Sequence, residues 1–197
     1  MKPVRARNFL FFGCLTVLLA ACGGQFDLSV GGIVGGLSSG ASIVLQNNGA
    51  EQITINANGQ FKFPSKIGNG AEYHVTVVTQ PAGETCVVAN GFGNANSGDV
   101  SNANVTCSPN IGVGGTISGL PDAASVTLEN NGADSLIVSA NGSFIFPTQI
   151  VLGSSYNVTV FAQPQGENCQ VVSGTGSYLV SGTAITNIQV ICNVNIP

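Results

Sequence analysis

The stretch LENNGADSLIVSANGSFIFP, residues Leu128–Pro147, repeats an earlier stretch, LQNNGAEQITINANGQFKFP, residues Leu45–Pro64. Extending this alignment at the same offset pairs residues 31–88 with 114–171 without a gap, and 29 of the 58 positions are identical. Chance does not produce such agreement, so the chain carries an internal duplication. We predict two modules: module 1 at residues 30–109 and module 2 at residues 110–197.

Both copies show the alternation of apolar and polar residues that is typical of half-buried β-strands. Asn-Gly pairs at Asn48-Gly49 and Asn58-Gly59 recur in the second copy and predict two-residue hairpin turns. The alternating residues of the two copies are Phe61, Phe63, Tyr73, Val75 and Val77, then Phe144, Phe146, Tyr156, Val158 and Val160. About seven strands follow in module 1, near 31–37, 42–47, 51–56, 60–64, 73–79, 86–92 and 102–107. The expected fold is all-β, with two tandem, small, Ig-like β-sandwich modules.

Composition supports this fold and excludes one class of partner. Hydrophobic residues make up 44% of the chain, charged residues only 7%, and there are 27 glycines. Such a chain is too apolar to be disordered and suits short strands joined by tight turns. Beyond residue 10 two lysines face nine acidic residues, which gives a net charge of −7. This acidic surface repels phosphate backbones, so we expect no nucleic-acid partner.

The N-terminus has the features of an export signal. Three basic residues precede an apolar run from Phe9 to Ala21, which is too short to span a membrane and has the length of a signal-peptide core. The sequence LAAC, Leu19–Cys22, resembles the lipobox of bacterial lipoproteins. The resemblance implies that residues 1–21 are removed, that Cys22 is lipidated and that 22–29 form a tether. The alternative is an ordinary secretory signal with an incidental cysteine.

The lipoprotein resemblance also implies a location. An acylated Cys22 holds the protein on a membrane, since several acyl chains bind a bilayer stably. Gly23 follows Cys22, where an Asp retains lipoproteins at the inner membrane of enteric bacteria. We therefore expect a bacterial cell-envelope protein, anchored by lipid, at the outer membrane.

The motif string GGTISG, ASVTL, NGSFIFP and GSSYNVTV, between Gly114 and Val160, resembles the carboxypeptidase-regulatory-like, or prealbumin-like, β-sandwich modules of bacterial surface proteins. It covers about the first 50 residues of each module. The resemblance implies a small sandwich that serves as a spacer, an adhesive unit or an accessory domain. The last third of each module, which carries the cysteines, departs from this pattern.

Six cysteines divide by position. Cys14 lies in the leader and Cys22 receives the lipid, which leaves two in each module. Pairing within a module is favoured because the duplication copied each pair together, and an exported protein meets oxidising conditions. The predicted disulfides are Cys86–Cys107 and Cys169–Cys192. A metal site is the alternative, but one histidine and no CxxC spacing argue against it.

Groups suited to catalysis are few. His74 is the only histidine and belongs to the polar face of its strand. The sequence GLSSG, 36–40, fits the nucleophile-elbow motif around Ser38, but it lies between strands and has no paired histidine, so we interpret it as a turn. No motif joins any two of Glu51, Glu84 and Asp99. We predict no enzyme activity, no cofactor and no metal.

Two further features have alternative interpretations. Glu84 and Glu167 occupy matching turns, QPAGE and QPQGE, where we expect solvated carboxylates. The Asn- and Asp-bearing segment GNANSGDVSNAN, 93–104, could bind Ca²⁺ weakly, although EF-hand spacing is absent.

Module 2 differs from module 1 at residues that suggest an interaction surface. Ile145 replaces Lys62, Phe161 replaces Val78, and Tyr178 stands in a poorly repeated hairpin. We predict a structural or adhesive role with a protein or glycan partner at the envelope, and a contact between the modules is the alternative explanation for these residues. The alternative function is an accessory module that binds a small ligand or glycan for a separate enzyme.

Overall fold

The computed structural model describes residues 27–96, 98–180 and 182–194. The predictions for the signal peptide, for lipidation at Cys22 and for residues 22–26 of the tether therefore lie outside the described residues. Among the described residues, none forms a helix with the length and apolar character needed to cross a bilayer.

Module 1 contains eight strands in the described residues. They are β1 Leu28–Gly35, β2 Ile43–Asn47, β3 Glu51–Ile55, β4 Gly59–Ile67, β5 Glu72–Thr79, β6 Glu84–Ala89, β7 Phe92–Asn94 and β8 Asn104–Pro109. The additional strand is β7, which is only three residues long and adjoins the run predicted at 86–92. Strand β1 begins inside the predicted tether, so Leu28 and Ser29 belong to the sandwich.

Module 2 repeats these eight strands in the same order. They are β9 Val113–Ser118, β10 Val126–Asn130, β11 Asp134–Val138, β12 Gly142–Ile145, β13 Ser155–Ala162, β14 Glu167–Val172, β15 Thr175–Ser177 and β16 Ile185–Val194. Strand β12 is shorter than its counterpart β4, and β16 is longer than β8.

Each module is a sandwich of two four-stranded sheets, which confirms the predicted all-β fold. The disulfide sheet has the order β4-β1-β8-β6 in module 1 and β12-β9-β16-β14 in module 2. The second sheet has the order β3-β2-β5-β7 and β11-β10-β13-β15. Neighbouring strands are antiparallel except for β1 with β8 and β9 with β16, which are parallel. A parallel pair needs a long connection, and here the six intervening strands provide it.

The buried apolar residues form two separate clusters, one in each module. Alternation places Phe63, Tyr73 and Val75 in the first cluster and their copies Phe146, Tyr156 and Val158 in the second. Each strand thus buries one side-chain face and presents the other to solvent. Because the two cores share no residue, each module has its own hydrophobic stabilisation.

Only half of the predicted Asn-Gly hairpins are present. Asn48 and Gly49 have φ values of 50° and 71°, as a type I′ turn requires, and the copies Asn131 and Gly132 have 54° and 66°. Asn58 is different, because β3 and β4 belong to opposite sheets and no hairpin joins them. Its side chain instead bridges the Leu37 backbone, accepting from N–H at 2.8 Å and donating to C=O at 2.7 Å. Its copy, Asn141, makes the same pair of bonds to Leu120.

The structure contains the two predicted disulfides, Cys86–Cys107 and Cys169–Cys192. Each joins directly opposite residues of adjacent strands in the disulfide sheet. The four cysteines are buried. Each bridge therefore fastens the edge strand β6 or β14 to the strand that closes its module.

Asn110 and Ile111, which join the two modules, both form hydrogen bonds. Asn110 donates its backbone N–H to Gly83 O at 2.8 Å and accepts from Thr85 Oγ1 at 2.8 Å, both in module 1. Ile111 exchanges two backbone hydrogen bonds with Ile150 in module 2. The chain thus passes from one hydrogen-bond network directly into the next.

Candidate functional site

Tyr178 is buried, so the prediction that it belongs to an exposed interaction surface is wrong. Its ring lies in the core of module 2, where module 1 has the smaller Ala95 at the corresponding turn. Its hydroxyl donates to Pro109 O at 3.0 Å and accepts from Gly182 N at 2.9 Å. A large side chain with a polar tip fits this position because it fills a core and still reaches the chain entering from module 1. Tyr178 therefore contacts the junction between the modules.

Ile145 and Phe161 are both exposed, at 63% and 68%, but they do not share a face. Ile145 points outward from the disulfide sheet on β12, and Phe161 points outward from the second sheet on β13. The hypothesis of one surface containing both is wrong because alternation separates inside from outside without indicating which of two sheets a strand joins.

Two apolar features of module 2 were missed. Ile137, on β11, is 70% exposed. It pairs with Thr127 of β10, and Thr127 pairs on its other side with Ala162, the neighbour of Phe161. Leu179 and Val180 are 75% and 70% exposed in the loop that follows the buried Tyr178. The signal for Ile137 was available in the alignment, since module 1 has Thr54 at the corresponding position.

Glu84 and Glu167 are buried, which corrects the prediction of solvated carboxylates. Glu84 is 5% exposed and accepts hydrogen bonds from both the backbone N–H and the hydroxyl of Ser38. Glu167 is 9% exposed, and its Oε2 has no partner among the described residues. The aligned residue for Ser38 is Pro121, which has neither an N–H nor a hydroxyl to donate. In module 1 the buried Glu84 therefore binds the β1–β2 loop through Ser38, whereas Glu167 is buried without such a contact.

The catalytic candidates are dispersed over the described residues. Ser38 lies in a loop between two strands, as predicted, and contacts Glu84 rather than a histidine. His74 stacks edge-on against Phe92 on the next strand, with ring centroids 5.7 Å apart. Glu51, on β3, accepts a hydrogen bond from the backbone N–H of Ser65 at 2.9 Å. No nucleophile–base pair is assembled among these groups.

Metal ligands are equally scattered. Within 27–96, 98–180 and 182–194, no three His, Cys, Asp or Glu side chains lie close enough together to hold an ion. The Asn- and Asp-bearing segment supplies one carboxylate, Asp99, and this binds Ser29 N at 2.8 Å and Lys62 Nζ at 3.4 Å.

Asp99 and Lys62 line a cavity on the surface of module 1. This cavity, which we name the Lys62 cleft, has a volume of about 490 Å³. It lies over the outer face of β1 and β4, beside the segment 99–101, and its lining includes Ser29, Gly31, Ile33, Gln60, Lys62 and Asp99. Its volume is within the range of small-molecule sites.

The electrostatics of the Lys62 cleft keep Asp99 ionised. The Ser29 N–H that binds its carboxylate, with the positive charges of Lys62 and Lys66, lowers the pKa of Asp99 below its usual value. The Lys62–Asp99 pair is half-exposed on both sides, so it contributes little to stability. Lys66 pairs with Ser29 in the register of β4 and β1, and it forms no ion pair within the described part of the chain.

No family model and no curated protein sequence matches the chain. Its fold has distant likenesses among solved structures. The Bacillus anthracis TIE protein is 14% identical over 83% of this chain, with a TM-score of 0.33. The pilus adhesin SpaC of Lactobacillus rhamnosus GG is 10% identical over 85%, with a TM-score of 0.34. The major pilin T-13 of Streptococcus pyogenes is 11% identical over 85%, with a TM-score of 0.23.

These likenesses differ in extent. The chain spans about a third of the TIE protein and of SpaC, at 34% and 32% of their lengths, and 96% of the pilin. TM-scores below 0.5 carry no inference about function.

Proposed function

We propose that this protein is a lipid-anchored, non-catalytic component of a bacterial envelope that has a structural or adhesive role. The observation that carries the proposal is the distribution of exposed apolar side chains. Among the described residues, module 2 exposes ten large apolar side chains and module 1 exposes four. Contact sites are marked by contiguous exposed apolar residues, and Ile137 and Phe161 lie near one another on the outer face of the second sheet.

The junction supports a structural role. The hydrogen bonds of Asn110 and Ile111, together with the Tyr178–Pro109 hydrogen bond, restrain the two sandwiches relative to one another. When the linker between two domains is restrained, the position of one domain fixes the position of the other, whereas a flexible linker leaves it variable. If Cys22 is the anchor, module 1 lies next to the membrane and module 2 presents its apolar residues farther away.

The anchor is tested by Cys22→Ser. We expect the variant to accumulate as uncleaved precursor or to leave the membrane fraction, because serine offers no thiol for the lipid. Membrane fractionation, with mass spectrometry of the mature N-terminus, measures this. Cys14→Ser is the matched control and should change neither result. An unmodified mature N-terminus at another residue would contradict the lipoprotein assignment.

The adhesive role is tested on each face of module 2 separately, since Ile145 and Phe161 lie on opposite sheets. Phe161→Val with Ile137→Thr installs the residues of module 1 on the second sheet, and Ile145→Lys does so on the disulfide sheet. Burying such a side chain against a partner contributes about 1.5–3 kcal/mol, so losing a true contact should weaken binding by about tenfold or more.

Binding of the displayed protein to purified envelope fractions measures this effect. Circular dichroism and the thermal midpoint establish that each variant is folded. We expect one face to lose binding and the other to keep it. If both variants bind like the parent, these two outer faces have no adhesive role.

A further inference from the structure

We propose that the Lys62 cleft of module 1 binds an acidic saccharide, meaning a sugar that carries a carboxylate or phosphate group. The proposal depends neither on the lipid anchor nor on the apolar surface of module 2. Either could fail without affecting it.

Charge is the first argument. Lys62 and Lys66 are the only lysine or arginine residues beyond residue 10, and both lie close enough to Asp99 to lower its pKa. Asp99 balances one of these two charges, so one positive charge remains beside the cleft, near Lys66, whose register partner Ser29 belongs to the lining. The rest of the described chain carries eight further acidic residues and repels anions. An anionic group therefore finds its favourable position here.

Hydrogen-bonding capacity is the second argument. An ionised carboxylate accepts about four hydrogen bonds. Asp99 uses one oxygen for Ser29 N and the other for Lys62, so it can still accept from ligand hydroxyls. Gln60 adds an amide, which donates and accepts. The Ser29 hydroxyl is buried and has no partner among the described residues. Several donors and acceptors in one cleft match a ligand with several hydroxyl groups.

The floor of the cleft suits a sugar ring. Gly31 belongs to the lining but is itself buried, and a Cβ there would collide with the Phe61 carbonyl oxygen, so this part of the lining carries no side chain. Next to it, Ile33 is 48% exposed and offers an apolar patch. A sugar ring has an apolar C–H face and a polar rim, so it can cover Ile33 while its hydroxyls reach Asp99 and Gln60.

Module 2 shows what the same surface looks like without a cleft of this kind. Ile145 takes the place of Lys62, and its side chain lies over Gly112, the counterpart of Ser29. Val30 pairs with Val100, and its copy Val113 pairs with Ile185. Ala184 therefore occupies in module 2 the position that Asp99 occupies in module 1. Both charges and the hydroxyl are thus absent from one copy of the duplication, so the fold does not require them.

The test is calorimetric titration of the purified full chain with a glucuronic acid tetrasaccharide. We expect saturable binding, and a neutral glucose tetrasaccharide should bind about tenfold more weakly or worse, because it forms no charge-assisted hydrogen bond. Lys66→Gln should weaken binding of the acidic sugar by about tenfold, because it removes the positive charge that Asp99 leaves unbalanced. The matched control is Gln170→Glu on module 2, which makes the same change in net charge as Lys66→Gln and should leave binding unchanged.

Several outcomes would overturn the proposal. Absence of binding, equal binding of the neutral tetrasaccharide, or full binding by folded Lys66→Gln would each do so. Inorganic phosphate that binds as tightly as the acidic sugar would identify a simple anion site instead. Binding only to vesicles of phosphatidylglycerol, with none to the soluble sugar, would identify a membrane contact. The thermal midpoint of each variant establishes that it is folded.

Discussion

Opening the disulfide of module 2 with Cys169→Ala and Cys192→Ala should lower the free energy of unfolding of that module by about 2–4 kcal/mol. The bridge closes a loop with a sequence separation of 23 residues, and chain-entropy arguments assign roughly 3 kcal/mol to a loop of that size. Both cysteines are buried, so the variant also loses packing. A module of about 80 residues has a marginal core and tolerates such losses poorly.

The effect should stay within one module, because the two cores are separate. Hydrogen exchange during urea unfolding, resolved by mass spectrometry to each module, measures this. Module 1 of the same molecule is the internal control and should keep its midpoint. Equal destabilisation of both modules would show that they unfold as one unit, contrary to this expectation.

The second large effect concerns Gly32, which we expect to tolerate no side chain. A Cβ at Gly32 would collide with the carbonyl oxygen and carbon of Ala103, in the segment that leads into β8. Backbone atoms cannot rotate away as a side chain does, so the strands must separate. We expect Gly32→Ala to destabilise module 1 by about 3 kcal/mol or more, at the upper end for overpacking.

The matched control for Gly32→Ala is Gly35→Ala on the same strand. A Cβ at Gly35 meets nothing within 4 Å, and module 2 has Ser118 there. Because alanine restricts the unfolded chain, Gly35→Ala should leave stability unchanged or raise it by up to about 1 kcal/mol. Urea denaturation of both variants measures the difference. Equal stabilities would mean that β1 and the Ala103 segment are less closely packed than the structure indicates.

Repetition and alternation in the sequence determined the fold class. Two copies of the same strand pattern predicted two modules, and the predicted all-β sandwich is what the structure contains. Asn48-Gly49 predicted its turn correctly because the required backbone conformation is local to two residues. The predicted cysteine pairing is present as well, since duplication left few alternatives.

The failures concern long-range contacts. Asn58-Gly59 has the same local signal as Asn48-Gly49, but it connects strands of different sheets, so its asparagine serves the Leu37 backbone instead. Glu84 lies in a turn that looks solvated, but it is buried, and its carboxylate binds Ser38, 46 residues away. The residues around Asn58 and Glu84 in the sequence do not indicate that Leu37 and Ser38 lie beside them in the fold.

The sequence by itself determined that strands alternate, that two modules repeat and which cysteines pair. Only the tertiary structure decided which sheet each strand joins. That decision separated Ile145 from Phe161, buried Tyr178 at the junction and brought Asp99 beside Lys62, 37 residues away. The physical reason is that a period of two specifies inward and outward faces, while a sandwich has two sheets with identical periods. Pairing between distant strands resolves that ambiguity, and it depends on the packing of the whole module.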